Sequence, residues 1–234
     1  YGISGNNGSG KTVLMKCICG FLPVTEGSIR VNGKIIGTEI DFPESIGVII
    51  ETPGFLTNLT GMRNLEILAA LKGKISKEEI RKAIQKAGLD PDLKKSVAKY
   101  SLGMRQRLGI AQAIMEDPEF LILDEPFNGL DKHGVREIRK LLLELKRQGK
   151  TILLASHNSE DIEILCDKVY EMDGGRIQGI WSKASGKQIK RKNTIYRIFW
   201  ENYVSSVLPP CPSYYALLRQ NRWNIIFPKY TVNG

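Results

Sequence analysis

The sequence lacks the features of a membrane-spanning protein, of a protein stabilised by disulfide bonds and of one folded around a structural metal. None of its apolar runs approaches the roughly 20 residues that cross a bilayer, and the two strongest, at 120–123 and 151–155, have the length of buried strands. The 4 cysteines show neither a disulfide framework nor the paired spacing of a metal site. They are Cys17, Cys19, Cys166 and Cys211. We therefore expect reduced, structural thiols in a chain of ordinary globular composition.

Strong charge is also missing from most of the chain. Of the net charge of +9, residues 181–234 supply +8 through nine Lys and Arg against Glu201, which leaves +1 for residues 1–180. Any hypothesis of a basic partner-binding surface therefore concerns this basic, aromatic tail alone. For the tail we retain three interpretations: a surface for anionic lipid or a partner protein, a partly disordered end, and a degenerate or frame-shifted end.

Residues 1–180 alternate between strand-like and helical segments. Strands are expected at 1–4, 28–31, 46–50, 120–123 and 151–155, with a hairpin of 169–172 and 176–180. Helices are expected at 12–19, 132–148 and 160–166, and helical patterns dominate 60–115. Within that region Ser76 and Glu79 predict a capping box for a helix ending near Ala87. The alternation predicts an α/β fold: a mainly parallel sheet flanked by helices, with a helical insertion.

A glycine-rich segment follows the first predicted strand and opens the first predicted helix. It consists of Gly5, Asn6, Asn7, Gly8, Ser9, Gly10, Lys11 and Thr12. This is the P-loop pattern, whose backbone N–H groups surround phosphate oxygens at a helix N-terminus. Lys11 is placed to reach the β- and γ-phosphates and Thr12 to ligate Mg²⁺. A chance glycine turn is the alternative, but the strand–loop–helix context favours a P-loop NTPase.

Two acids end the buried strand predicted at 120–123. Asp124 would lie beside the P-loop and hold Mg²⁺, directly or through water, and Glu125 would orient and polarise the attacking water. Acidic residues often end strands for reasons unrelated to catalysis. The evidence that this pair is catalytic therefore comes from the motifs around it.

Those motifs resemble the ATP-binding cassette (ABC) family over about residues 1–180. Residues 100–107, Tyr-Ser-Leu-Gly-Met-Arg-Gln-Arg, are similar to its signature loop, residues 127–131 to its D-loop, and Ser156-His157 to its switch histidine. The resemblance implies a RecA-like core at 1–55 and 116–180, a helical signature subdomain at about 56–115, and a separate tail at 181–234.

The resemblance also implies a mechanism and partners. A second cassette, giving a homodimer, would dock head to tail and present Ser101 and Gly103 to the γ-phosphate of ATP. His157 would contact that phosphate, and Asp131 would couple the two sites. The chain is then expected to be an ATPase that uses ATP and Mg²⁺, works with a transmembrane permease supplied in trans, and lies peripherally on the cytoplasmic face of the membrane. No nucleic-acid partner is expected.

One position narrows the family. Glu51 occupies the place where the family usually carries a glutamine that touches Mg²⁺, and we predict it as a further metal contact; the alternative is an exposed loop acid. With the signature sequence, it resembles the bacitracin and lantibiotic self-protection exporters, which implies antibiotic resistance through export of peptide antibiotics.

Departures from the family keep two other hypotheses open. Leu102 and Met104 replace a glycine and a glutamine of the signature, although Ser101 and Gly103 remain. The chain begins four residues before Gly5, so we expect an N-terminally truncated cassette whose adenine-stacking residue cannot be assigned. The alternatives to an exporter ATPase are a soluble cassette acting on nucleic acid or ribosomes, suggested by the tail, and a truncated, non-catalytic cassette.

Overall fold

A seven-stranded sheet organises the part of the chain that the computed structural model describes, namely residues 1–73, 75–183, 187–189 and 223–227. Its strands, in spatial order, are β4 (Ile46–Ile49), β5 (Phe120–Asp124), β6 (Thr151–Ala155), β1 (Gly2–Ser4), β7 (Lys168–Asp173), β8 (Arg176–Ser182) and β9 (Lys187–Ile189). The first five run parallel, and β7, β8 and β9 are antiparallel neighbours. The predicted mainly parallel sheet is confirmed, and each predicted strand lies within two residues of its expected bounds.

Six α-helices lie in the described residues, and three of them form an insertion. They are α1 (Lys11–Ile18), α2 (Gly61–Lys72), α3 (Lys77–Lys86), α4 (Leu102–Ile114), α5 (Lys132–Arg147) and α6 (Ser159–Leu165). Helices α2, α3 and α4 all fall between β4 and β5, as the predicted insertion requires. The capping box is also confirmed, because the Ser76 hydroxyl accepts the Glu79 N–H while the Glu79 carboxylate accepts the Ser76 N–H.

The sheet is covered on both faces, as the side chains of β5 demonstrate. Leu121 and Leu123 belong to an apolar cluster with α2–α6, whereas Phe120 and Ile122 belong to a second cluster with α1. Successive side chains of a strand point to opposite faces, so a continuous apolar run requires a layer on each side. Burial on both faces fixes β5, and therefore the position of the acid at its end.

The buried cysteines contribute to these clusters. Cys19 packs with the α1 cluster and Cys166 with the other, and both are free thiols. Burial raises the pKa of Cys19 to about 12 and also raises the pKa of Cys166. Both therefore behave as small apolar side chains, in agreement with the predicted structural role. Cys211 lies outside the described residues.

A smaller sheet stands beside the α1 cluster. Its strands are β2 (Gly27–Val31), β3 (Lys34–Ile35) and β10 (Trp223–Phe227), with β10 parallel and β3 antiparallel to β2. Apart from β9 and β10, the predicted tail beyond residue 183 lies outside the described residues, so its three interpretations stay predictions. No helix in the described part of the chain is both long and apolar enough to span a bilayer.

Candidate active site

The glycine-rich loop joins β1 to α1 and curls back on itself. Gly10 has φ +100, a conformation that disfavours any residue with a Cβ. At Gly5 an added Cβ would clash with the carbonyl oxygen of Met172 on β7. The Ser9 N–H donates to the Asn6 carbonyl at 3.1 Å, and the Ser9 carbonyl accepts the Gly175 N–H at 2.9 Å. The loop is therefore held from both sides at the N-terminus of α1, the arrangement that the sequence predicts for phosphate.

Lys11 reaches back into this loop. Its side chain is almost buried, at 6% exposed, and its Nζ donates to the carbonyl oxygens of Gly5 at 2.7 Å and Asn6 at 3.0 Å. A buried ammonium is costly unless it is paired or hydrogen-bonded. The backbone carbonyls supply hydrogen bonds but no full negative charge, so the loop retains a positive centre suited to an anion.

The hydroxyl of Ser9 gives an independent indication of a ligand. Ser9 is 3% exposed, and its Oγ has no hydrogen-bond partner among the described residues. An unsatisfied buried polar group costs about 1–3 kcal/mol, so such groups normally have a partner in the working state of a protein. A phosphate oxygen held in the loop would supply that partner.

The end of β5 brings an acid against the first turn of α1. The Thr12 Oγ1 donates to Asp124 Oδ2 at 2.6 Å, and Asp124 is 7% exposed. A hydroxyl and a carboxylate oxygen are the hard ligands that Mg²⁺ prefers. These two residues, 112 positions apart in the sequence, therefore fit the predicted metal contact.

Glu125 and His157 meet because β5 and β6 are adjacent parallel strands. Asp124 is in register with Ala155, so the residues that follow each strand emerge at the same sheet edge. The His157 N–H donates to Glu125 Oε1 at 3.0 Å, and His157 Nδ1 lies 2.8 Å from Glu125 Oε2. Glu125 itself has φ +49, an uncommon conformation for a residue with a side chain. The two residues predicted to be catalytic thus form a pair within one chain.

A cavity of about 710 Å³ is lined by most of these groups, although not by His157. Its lining includes the loop from Asn7 to Thr12, Asp124 and Glu125, and, opposite them, Glu51 and the start of α4. Its volume lies in the range of ligand sites. Most of the predicted site residues therefore share one space.

Six predicted residues lie outside the cavity lining. Gly5 and Asn6 precede its first residue and His157 pairs with Glu125, which lines it, whereas the other three have structural contacts of their own. The Ser101 hydroxyl accepts the Met104 N–H and caps α4, and Asp131 Oδ1 accepts the Gly134 N–H and caps α5. Gly103 packs so closely on the D-loop that an added Cβ would lie 2.7 Å from the Gly129 carbonyl oxygen. Within one chain the contacts of Ser101, Asp131 and Gly103 are therefore structural.

Glu51 lines the cavity but already has a partner. Its Oε1 lies 2.6 Å from Lys16 Nζ, and its backbone adopts φ +60. Lys16 is one helical turn beyond Thr12 on α1, so it lies on the same face of that helix. The sequence prediction assigned no role to Lys16. The spacing of four residues from Thr12 was the available signal.

A second residue without an assigned role is Gln106 on α4. It is 6% exposed, and its Nε2 donates to the backbone carbonyl of Glu125 at 3.3 Å. Gln106, Ile110 and Ala113 are buried at helical spacing, so the glutamine interrupts an apolar stripe. A polar residue in such a stripe was the signal that it has a specific partner.

Comparison with known proteins agrees with this geometry. The family model described as "ABC transporter" matches residues 1–128. The chain is 44% identical over 178 residues to the uncharacterized ABC transporter ATP-binding protein YybJ of Bacillus subtilis (strain 168), covering 76% of this chain and 82% of that protein. It is 47% identical over 179 residues to the bacitracin transport ATP-binding protein BcrA of Enterococcus faecalis, covering 76% of this chain but only 58% of BcrA.

A third relative and two solved structures extend the comparison. The lantibiotic transport ATP-binding protein SrtF of Streptococcus pyogenes is 38% identical over 177 residues, with 76% of each chain covered. The solved ATP-binding subunit of an ABC transporter has a TM-score of 0.69 at 29% identity, covering 79% of this chain and 78% of that chain. A dimeric ATP-binding cassette bound to ADP and phosphate has the same TM-score at 21% identity, covering 77% and 84%, and shares the fold.

The family match spans more than half of the chain, and the P-loop, the Asp124 strand and the Glu125–His157 pair occupy one site. The chain therefore belongs to the ABC transporter family, as an ATP-binding cassette that hydrolyses ATP.

Proposed function

We propose that this cassette powers the export of peptide antibiotics of the bacitracin or lantibiotic type. The observation that carries the ATPase part is the convergence of Lys11, Asp124 and Glu125 on one cavity. The cargo class is supported by the names of two relatives, BcrA and SrtF, together with Glu51. Those names speak for transport and against the nucleic-acid alternative.

The glycine-rich loop binds the phosphates of ATP. The N–H groups of residues 5–12, the N-terminus of α1 and the Lys11 ammonium all favour negative charge at this point. The unpartnered Ser9 hydroxyl supplies a further hydrogen-bonding group within the loop. The roles of Gly5, Asn6, Asn7, Gly8 and Gly10 are to shape this cradle rather than to react.

Thr12 and Asp124 would hold Mg²⁺, which when bound neutralises charge on the phosphates. Their oxygens are already 2.6 Å apart. Glu51 lies at the rim of the same cavity. Its carboxylate is paired with Lys16 and would have to give up that ion pair in order to bind the metal. We therefore place it as a secondary contact.

Glu125 acts as the group that orients and polarises the attacking water. Its carboxylate is held by the backbone and ring of His157, which limits its rotation. Nδ1 of His157 donates to the Glu125 carboxylate, so its other ring nitrogen, Nε2, would donate to the γ-phosphate and stabilise the developing charge only in the doubly protonated ring. Within the pair, Glu125 acts on the attacking water and His157 on the γ-phosphate.

A second copy of this chain completes the site. Ser101 and Gly103 lie at the N-terminus of α4, outside the cavity of their own chain, and Asp131 lies at the N-terminus of α5. Docked head to tail, these residues meet the phosphate held by the partner copy. A separate transmembrane permease then places the pair on the cytoplasmic face of the membrane. We propose residues 1–55 and 116–180 as the core, about 56–115 as the signature subdomain, and 181–234 as a separate tail.

The Glu125→Gln substitution tests the ATPase mechanism. The amide cannot polarise water as a carboxylate does, so we expect kcat to fall at least about 100-fold while ATP still binds. Glu119→Gln is the matched control, because Glu119 is exposed one residue before β5. Steady-state ATPase assays and fluorescent-nucleotide titration measure the two effects. Retained turnover in Glu125→Gln would exclude Glu125 as the catalytic base.

The cargo is tested separately in the natural host. Deleting the gene should lower the inhibitory concentration of bacitracin or of a lantibiotic, and the natural full-length gene should restore it. Complementation with Glu125→Gln should fail, and complementation with Glu119→Gln should succeed. Unchanged sensitivity to both classes of peptide after deletion would reject this cargo.

A further inference from the structure

Glu125 is held at its main chain as well as at its carboxylate. Its N–H donates to the Ala155 carbonyl at 2.9 Å, which ties it to β6. Its carbonyl accepts the Asn128 N–H at 3.2 Å, which closes a turn. The same carbonyl accepts Gln106 Nε2 at 3.3 Å, from helix α4 of the inserted subdomain. The backbone of Glu125 is therefore linked to two separate parts of the fold.

The link to α4 is reinforced by close packing. A Cβ on Gly103 would lie 2.7 Å from the carbonyl oxygen of Gly129, and a Cβ on Gly129 would clash with Leu102. The start of α4 and the turn after β5 are thus in close contact, with no room for a Cβ at either glycine. A close-packed contact of this kind transmits displacement rather than absorbing it.

Helix geometry connects this contact to the predicted docking residues. Ser101 and Gln106 are five residues apart at the start of α4, which corresponds to about 7.5 Å along a rigid helix. Any movement of the α4 N-terminus therefore moves the Gln106 amide by a comparable distance. Glu125 has φ +49, an uncommon backbone conformation that the surrounding contacts must maintain. The direction of its carboxylate therefore depends on the hydrogen bonds made by its own peptide groups.

We infer that Gln106 is a positioning residue that aligns Glu125 when the N-terminus of α4 docks on the nucleotide of the partner cassette. The inference rests on the proposed function, and it adds a specific path by which nucleotide in one site affects the catalytic residue of the other site. The nucleotide bound by one chain acts on Ser101 and Gly103 of the other, and Gln106 carries that contact to the Glu125 of its own chain. The alignment of Glu125 at each site therefore depends on whether nucleotide occupies the opposite site.

The test compares Gln106→Met with Gln112→Met in the natural full-length protein. Methionine preserves the volume of the side chain and removes its donor. Gln112 lies six residues further along α4, about 9 Å away. We expect kcat of Gln106→Met to fall about 10- to 100-fold, since small misplacements of catalytic groups have effects of this size. KM for ATP and thermal stability should change little, and Gln112→Met should resemble wild type.

The Ser101→Ala background tests the route, because it removes the hydroxyl proposed to meet the partner's phosphate without adding a repulsive charge and is expected to keep a measurable kcat. If both residues act on one path, Gln106→Met should lower kcat much less in that background than in wild type. Independent, multiplicative effects would overturn the coupling. A Gln106→Met protein with wild-type kcat, or one that loses nucleotide affinity and stability together with kcat, would overturn the positioning role. Should Gln106→Met fail to fold, Gln106→Asn keeps the amide but is one methylene too short, and the same split is expected.

The Glu125→Gln variant separates this inference from the proposed function. If Glu125→Gln abolishes turnover while Gln106→Met does not, only the inference fails. If Glu125→Gln retains turnover, the proposed function fails as well.

Discussion

The two walls of the cavity differ in how complete they are within one chain. The wall formed by the glycine-rich loop and the end of β5 is buried: Lys11 and Asp124 are almost inaccessible and already hydrogen-bonded. The wall formed by the start of α4 is open, with Leu102 58% exposed. Next to it Ser101 lies outside the cavity lining, and its hydroxyl caps the helix. Under the proposed function, the first wall binds phosphate within one chain. The second has its groups satisfied locally, and its neighbour Ser101 would meet a ligand only when a second cassette docks.

The largest effect is expected in the buried wall. Lys11→Met removes charge-assisted hydrogen bonds to phosphate worth about 3 kcal/mol together, which corresponds to roughly a 100-fold rise in the Kd for ATP. Fluorescent-nucleotide titration measures it. Lys140→Met is the control, since Lys140 is exposed on α5. Near-normal ATP affinity in Lys11→Met would remove the distinction between the two walls.

An intermediate effect is expected at Ser101, next to the open wall. A substitution there should affect dimerisation but leave ATP binding by the single cassette almost unchanged. Ser101→Asp keeps an efficient helix cap but places a negative charge where the partner's phosphate would dock. We expect the single cassette to bind ATP within about twofold of wild type, while ATP-dependent dimerisation in the Glu125→Gln background is lost. Light scattering with and without ATP measures the dimer.

Ser101→Ala provides the complementary control. It removes the cap and should lower the free energy of unfolding by about 1 kcal/mol, with no repulsive charge. If Ser101→Asp dimerises with ATP as well as the parent protein does, the α4 N-terminus does not meet nucleotide.

The smallest effect is expected at the rim between the walls. The Lys16–Glu51 pair joins partly exposed side chains, so Lys16→Met should lower the free energy of unfolding by less than about 1 kcal/mol, and less again at high salt. Denaturation with urea at two salt concentrations measures the difference. Lys34→Met is a control, because Lys34 forms a more exposed pair with Glu44 away from the cavity. A loss above about 2 kcal/mol would show that Glu51 is anchored and is not available to a metal.

Local pattern explains what could be predicted. The glycine-rich loop depends on residues within eight positions, and the strand of Phe120–Asp124 is recognisable because both of its faces are apolar. The Ser76–Glu79 capping box is likewise local and was predicted correctly. The pairing of Glu125 with His157 follows from two strands only once they are known to be neighbours.

The sequence by itself determined the order of the elements, the phosphate loop and the acids at the end of β5, because each depends on spacing along a short stretch of chain. Tertiary structure decided that Lys16 pairs with Glu51, 35 positions away, and that Gln106 holds the carbonyl of Glu125, 19 positions away. Such contacts depend on how a helix is rotated against a sheet. That rotation results from the packing of the whole core, which no local pattern encodes.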